Sequence, residues 1–218
     1  MKKLVLFMMS LAVVTMFYGC QQKDPNECRI HGTVVGEQYE GKLVFLVPLK
    51  GSATLETVDS VVIRDGRFEF RADSMKLYKI LLDYHFRYGT QSLLVVGEPG
   101  DIEVIIDSIS HGKGTPLNDS LEKWRLVTEQ HNQVFGPLNQ RIYQENLAGH
   151  HEVADSLRAI SDSIHLEYKN FTRQMSENLQ PGALHDFLKS LFPLTYQKKM
   201  PDGSVVTMDA DTNEPISE

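Results

Sequence analysis

Cysteine is scarce in this chain of 218 residues: there are two, Cys20 and Cys28. That rules out a disulfide framework and a Cys-x-x-Cys redox motif. Tryptophan occurs once. Basic residues are outnumbered 22 to 29, giving a net charge of −7, and they do not cluster. Nucleic acid is therefore not an expected partner, because its binding depends on gathered Lys and Arg. The sequence contains no HExxH, no GxSxG elbow and no Walker loop. The adjacent His150 and His151 diverge by about 100° on a helix, so they do not easily share one ion. No His or Cys pair has zinc-finger spacing. Gly112-Lys113-Gly114-Thr115 resembles a fragment of a phosphate loop but reads as a plain turn. The acidic pairs Asp59/Asp65 and Glu98/Asp101 flank turns, where such residues are ordinary, and do not support a glycosidase dyad. The residues thus supply no expected catalytic set, metal site or cofactor.

The N-terminus is informative. Lys2 and Lys3 precede an apolar run from Leu4 to Phe17, too short for a comfortable membrane span, which needs about 20 residues. It fits the h-region of a secretory signal. Phe17-Tyr18-Gly19-Cys20 resembles a lipobox, although Phe17 and Tyr18 depart from the usual residues. Residues 1–19 are thus expected to be a lipoprotein signal peptide, with Cys20 as the lipid-attachment residue. Acyl chains would hold the protein at a membrane, since each buried methylene is worth about 0.8 kcal/mol. Gln21, where an inner-membrane protein would carry Asp, implies the outer membrane, and the lack of an acidic run after it favours the periplasmic face. Cleavage removes Lys2 and Lys3 and takes the net charge from −7 to −9. Cys28 is then left either as a small buried hydrophobe or as a partner for another chain.

After a polar tether at 20–27, residues 28–112 read as β. Seven short strands are expected, over about 29–36, 42–48, 57–63, 67–71, 78–83, 91–96 and 102–107. Asp65-Gly66 is a strong hairpin signal, because glycine accepts a positive φ. Phe68 and Phe70 alternate with Arg67, Glu69 and Arg71, as in a half-buried antiparallel strand. The expected fold class is α+β: an antiparallel β-sandwich or partly open barrel of about seven strands, followed by an antiparallel helical hairpin.

The helical region is expected over 115–192. Thr115-Pro116 is a helix start. Leu117, Leu121, Trp124, Thr128, His131, Phe135, Leu138 and Ile142 form one stripe, which Gly136-Pro137 is expected to kink or break. After a reversal at 147–151, Val153, Leu157, Ile160, Ile164, Tyr168, Phe171 and Met175 form a second. Each stripe is expected to face the other or the sheet. A short third helix over about Ala183–Leu191 follows. Residues 193–218 read as a second hairpin, about 196–208, with a polar tail.

One group of aromatics stands out. Tyr78, Tyr84, Phe86 and Tyr88 gather with His85 and Arg87 at a strand end. Exposed, Tyr84, Phe86 and Tyr88 would be a candidate binding surface for a glycan or a protein partner. Buried, they would be the sandwich rim.

The succession Ile30-His31-Gly32-Thr33-Val34, Glu40-Gly41-Lys42-Leu43-Val44-Phe45-Leu46, Asp59-Ser60-Val61-Val62-Ile63 and Asp65-Gly66-Arg67-Phe68-Glu69-Phe70 carries a resemblance. So does Glu98-Pro99-Gly100-Asp101-Ile102-Glu103-Val104 followed by Gly114-Thr115-Pro116-Leu117-Asn118. These segments resemble the β-rich N-terminal domain of unknown function that precedes thioredoxin-like domains of the TlpA/AhpC-TSA kind in Gram-negative envelope lipoproteins. The resemblance spans residues 28–120, and the helical hairpin matches the linker of that family. It implies the fold, but its thiol chemistry needs a Cys-x-x-Cys. No cysteine follows Cys28, so no redox residue carries over.

The expectation is a non-catalytic envelope lipoprotein, an accessory or binding module, held to the membrane by its lipid and meeting an envelope protein or a glycan. Two alternatives stay open. One is a carbohydrate- or peptide-binding lipoprotein using 84–88. The other is a truncated relative of a thiol-disulfide oxidoreductase that lacks the thioredoxin domain.

Overall fold

A computed structural model describes residues 26–51, 54, 56–72, 75–82, 93–200 and 203–216. The expected signal segment 1–19, the lipidation residue Cys20 and the aromatic candidates Tyr84, Phe86 and Tyr88 lie outside the described residues.

The described β region consists of β1 (Cys28–Val34), β2 (Leu43–Pro48), β3 (Asp59–Val62), β4 (Arg67–Ala72), β5 (Leu77–Leu82), β6 (Leu93–Val96), β7 (Gly100–Ile106) and β8 (His111–Lys113). They form two four-stranded sheets, ordered β4-β1-β7-β8 and β3-β2-β5-β6. Inward residues of both sheets make one core. Ile30, Phe70, Ile102 and Val104 come from the first, and Val44, Ile80, Leu82 and Val95 from the second. The α+β sandwich expected from the alternation is therefore the observed architecture.

Three details differ from the sequence reading. First, the described residues give eight sandwich strands, because His111–Lys113 pairs antiparallel with β7. The Gly-Lys-Gly segment is thus an edge strand. At Gly114, where φ is +114°, a Cβ would lie 2.5 Å from the Asp101 carbonyl oxygen, so only glycine suits the exit from this strand. Second, β1 pairs parallel with β7, while the remaining sandwich pairs are antiparallel. Third, the Asp65-Gly66 turn joins strands of different sheets. Both residues have positive φ, and the Glu40 carboxylate accepts both of their backbone N–H groups at 3.0 Å. Before the turn, β3 pairs with β2; after it, β4 pairs with β1. Ile63, fully buried, sits between β3 and the turn and anchors the crossing in the core.

The helices are α1 (Pro116–Leu147), α2 (His151–Glu177) and α3 (Ala183–Leu191). Thr115 and Pro116 start α1 as expected. The Glu98 carboxylate accepts the Leu117 N–H at 2.9 Å, satisfying a donor that the helix itself leaves free. Pro137 does not break α1, which continues to Leu147. Proline costs it the backbone bond to the Gln133 carbonyl. Hydrogen bonds on both sides of that point tie it to α2, Thr128 with Tyr168 at 2.9 Å and Ser161 with Asn139 at 3.3 Å.

The second stripe also departs from expectation. The buried positions of α2 are Ala154, Ser161, Thr172 and Ser176, all small. Val153 and Ile160 of the apolar stripe remain 43% and 52% exposed. Small side chains form the seam because they let two long helices approach closely, which leaves Val153 and Ile160 on the flank, while Phe171 and Met175 still pack against the core beneath the helices.

Beyond α3, β9 (Thr195–Lys199) and β10 (Val205–Asp209) pair antiparallel, as expected for the C-terminal hairpin. Asp211 ties it to α2 through Lys169 at 2.7 Å and Arg173 at 2.6 Å. Beside this attachment His131, Phe135, His165, Tyr168 and Phe192 form a stack of rings with centroids 4.3 to 5.7 Å apart.

Candidate functional site

The second sheet is covered on both faces. Tyr78, Ile80 and Leu82 of β5 point into the sandwich core. Leu77 and Val96 instead join Leu121, Trp124, Leu184 and Leu188 in a second core beneath the helices. Lys79 lies between Tyr78 and Ile80, so strand alternation turns it towards the helical side. There the register sets it between Val47 of β2 and Leu94 of β6.

A cleft of about 330 Å³ opens where this face meets α1. Leu49, Lys79, Leu93 and Leu94 line it from the sheet side, and Leu121, Glu122, Trp124 and Arg125 from α1, with Gly112 of β8 at one edge. Its size falls in the range of small-molecule sites.

The walls are held firmly. The Trp124 indole N–H donates to Thr172 Oγ1 of α2 at 3.3 Å, and its ring meets Phe187 of α3 edge-on at 5.5 Å. Arg125 clasps Glu122 with two bonds, Nε to Oε2 at 2.8 Å and Nη2 to Oε1 at 2.7 Å. His111 Nδ1 lies 3.2 Å from both Glu122 Oε1 and Arg125 Nη2. The Gly112 N–H donates to Glu122 Oε2 at 3.4 Å. Burial pushes the Glu122 carboxyl up, but the hydrogen bonds from Arg125 and His111 and the Arg125 charge outweigh it and hold it below its ordinary value. The Arg125 guanidinium is pushed up, chiefly by its bond to Glu122. The two charges thus neutralise each other.

Lys79 is different. It is half-buried, yet no hydrogen bond or ion pair engages its ammonium among the described residues. The cleft therefore offers apolar and aromatic surface beside one uncommitted positive charge. Sequence reasoning passed over Lys79, although a lone lysine inside the apolar run of β5 was a signal that could have found it.

The residues singled out by sequence fare variously. Tyr78, grouped there with the possible binding aromatics, is 5% exposed and belongs to the sandwich core, because it occupies an inward position of β5. Cys28 is a free thiol, 1% exposed. Asp59 binds the Ser60 N–H at 2.7 Å, Glu98 caps α1, and Asp101 lies 3.3 Å from Arg29, so these acids have structural partners. Each of the adjacent histidines has a local partner: His150 with Glu145 at 2.9 Å and His151 with Asn146 at 3.5 Å. Among the described residues, no group of three or more His, Cys, Asp and Glu is placed to hold a metal ion. No helix among them is long and apolar enough to cross a membrane.

By architecture this is a two-sheet β-sandwich with a helical hairpin whose first helix packs along β6 of one sheet and β8 of the other. Residues 28–121 match a family model described as Domain of unknown function (DUF4369). The match covers all eight sandwich strands and the opening of α1. Searches of curated proteins and of solved structures give no match. The cleft straddles the limit of the matched segment: Lys79, Leu93 and Leu94 lie within it, whereas Glu122, Trp124 and Arg125 lie beyond.

Proposed function

We propose that this protein is a non-catalytic envelope lipoprotein whose folded part is a binding module. It is anchored through acylated Cys20 at the periplasmic face of the outer membrane and presents the sheet–helix cleft to a ligand. The observation that carries the binding role is the cleft itself: firmly held apolar walls around a half-buried Lys79 with no partner among the described residues. Such a cation is available to the charge of a ligand. The leader and Cys20 support the anchoring.

The binding role is tested by screening small molecules for thermal stabilisation, then following any hit by mass spectrometry. A ligand that raises the melting temperature and is recovered unchanged supports the reading. Recovery of a converted product overturns the non-catalytic part of it. Anchoring is tested with Cys20→Ala, which is expected to lose metabolic palmitate labelling. Retained label would place the lipid elsewhere.

A further inference from the structure

The cleft's chemistry narrows the class of ligand. We infer that it takes a small amphipathic anion, an apolar body ending in a single carboxylate, with Lys79 as the counter-ion; this rests on the binding role proposed above.

Three observations lead there. The apolar walls are Leu93, Leu94, Leu121 and the Trp124 face, which suit an aliphatic or aromatic body and reward its burial at about 25 cal/mol per Å². The other charges at the cleft are already spent: Glu122 and Arg125 hold each other bidentately at 2.7 and 2.8 Å, with His111 against the pair. That leaves one positive charge, on Lys79, and it has no partner among the described residues. A ligand of one negative charge balances the site, whereas a neutral one leaves a half-buried ammonium unpaired and a cation adds repulsion. The protein as a whole carries a net charge of −7. Anions are therefore not drawn to its surface in general, and preference for one must come from this local cation.

The other clefts differ. The 410 Å³ cleft beside Phe171 and Met175 sets apolar surface beside Lys123, but that lysine is exposed rather than half-buried. The 670 Å³ cleft on the first sheet mixes Arg64, Arg67 and Lys113 with Glu69 and Glu103. The 380 Å³ cleft beside Gly182 and Ala183 contains Lys50 and Lys76 but also Asp186. The 400 Å³ cleft beside Phe192 contains Arg173, which is paired with Asp211.

Trp124 is the sole tryptophan of the chain and lines the cleft, so its emission reports occupancy directly. The test uses the full chain on phosphatidylcholine vesicles, titrated with 4-phenylbutyrate and with the neutral isostere 4-phenylbutanol. The acid is expected to change Trp124 emission saturably and to bind about tenfold more tightly than the alcohol, the scale of one hydrogen bond to a charged group. Lys79→Met is expected to lower the acid to the level of the alcohol and leave the alcohol unchanged. Lys79→Arg, which keeps the charge, is expected to retain the preference and guards against a folding artefact. Equal binding of acid and alcohol by the natural chain overturns the carboxylate inference while leaving a binding cleft in place. So does a preference that survives Lys79→Met. If neither probe perturbs Trp124, the inference fails and the binding role loses the cleft that carries it.

Discussion

The side-chain amide of Asn118 pairs with both backbone groups of Val96: Val96 N–H donates to Oδ1 and Nδ2 donates to the Val96 carbonyl, each at 2.9 Å. Val96 ends β6, an edge strand of the second sheet, and exposed strand edges invite unwanted pairing. One amide from α1 thus acts as a short added strand and fixes the helix to the sheet beside the cleft. Asn118 is 1% exposed, and its Nδ2 also reaches Thr115 Oγ1 at 2.8 Å. Asn118→Leu leaves two buried backbone groups unpaired and is expected to cost about 2–4 kcal/mol, at about 1–3 for each group left unsatisfied with some relaxation. Urea unfolding measures it; a loss below about 0.5 kcal/mol would show that water replaces the amide.

Much of the fold was legible because local rules and packing agree there. Phe68 and Phe70 alternate with charges and are buried; Asp65-Gly66 turns; Thr115-Pro116 opens a helix; Gly182 directly precedes α3. The parallel pairing of β1 with β7 was not legible, since strand patterns carry no partner label. Nor was the change of sheet at Ile63, because a tight turn looks the same whether its strands stay together or part. The cleft escaped for a related reason: Lys79 and Trp124 are distant in sequence and meet through the docking of α1 on β6. Sequence reasoning weighed the aromatics at 84–88, which lie outside the described residues, and passed over the single charge at Lys79.

The His131–His165 stack predicts acid sensitivity. Burial lowers the affinity of His165 for a proton, and the nearby His131 and Lys169 lower it further, against a small opposite effect of Asp162. Its folded pKa therefore lies below its unfolded value. The unfolded chain binds the proton more readily, so this contribution to stability is present above about pH 6.5 and is lost as pH falls through the folded pKa. His165 Nδ1 is buried without a hydrogen-bond partner among the described residues, so a proton placed there would be unpaired. The urea midpoint is expected to fall between pH 7 and pH 5, and to fall less in His165→Phe. An equal fall in both proteins would assign the sensitivity to other groups.

Asp211 gives a handle of the same sign, at lower pH, on the C-terminal hairpin. Hydrogen bonds from Arg173 and Lys169 lower its carboxyl to about 2. A depressed carboxylate stabilises above its unfolded pKa, and that contribution disappears as pH falls from about 4 through about 2. The carboxylate is 42% exposed, so solvent weakens the pairing. Asp211→Asn is expected to speed amide exchange over 195–209 near neutral pH and to leave the sandwich strands unchanged. Exchange that is unaffected would mean that the ring of Phe192 against Tyr168 and His165 carries the docking.

The Cys28 thiol bears on whether chains pair through this residue. It faces the sandwich core at the start of β1 and is 1% exposed, and burial pushes its pKa up, with smaller opposing contributions from the backbone of Glu98 and Ala72. Thiolate is the reactive form, so both access and ionisation protect it. In a Cys20→Ser chain, an aromatic disulfide reagent is expected to leave Cys28 untouched over hours in buffer and to react within minutes in denaturant. Non-reducing electrophoresis of the same chain should show monomer.

The helical seam makes the last prediction. Ala154 is fully buried between α1 and α2, while Val153 and Ile160 stand exposed beside it. If close approach of the two helices depends on small residues, adding bulk at the seam must cost more than removing apolar bulk from the flank. Ala154→Leu forces the helices apart and is expected to destabilise by about 1–3 kcal/mol, as overpacking does. Ile160→Ala removes a side chain that is 52% exposed and is expected to cost less than about 1 kcal/mol, since little area leaves water there. Chemical unfolding of the two variants ranks them directly. If Ile160→Ala proves the more damaging, the apolar stripe of α2 is covered in the folded protein, and the seam would need to be redrawn around it.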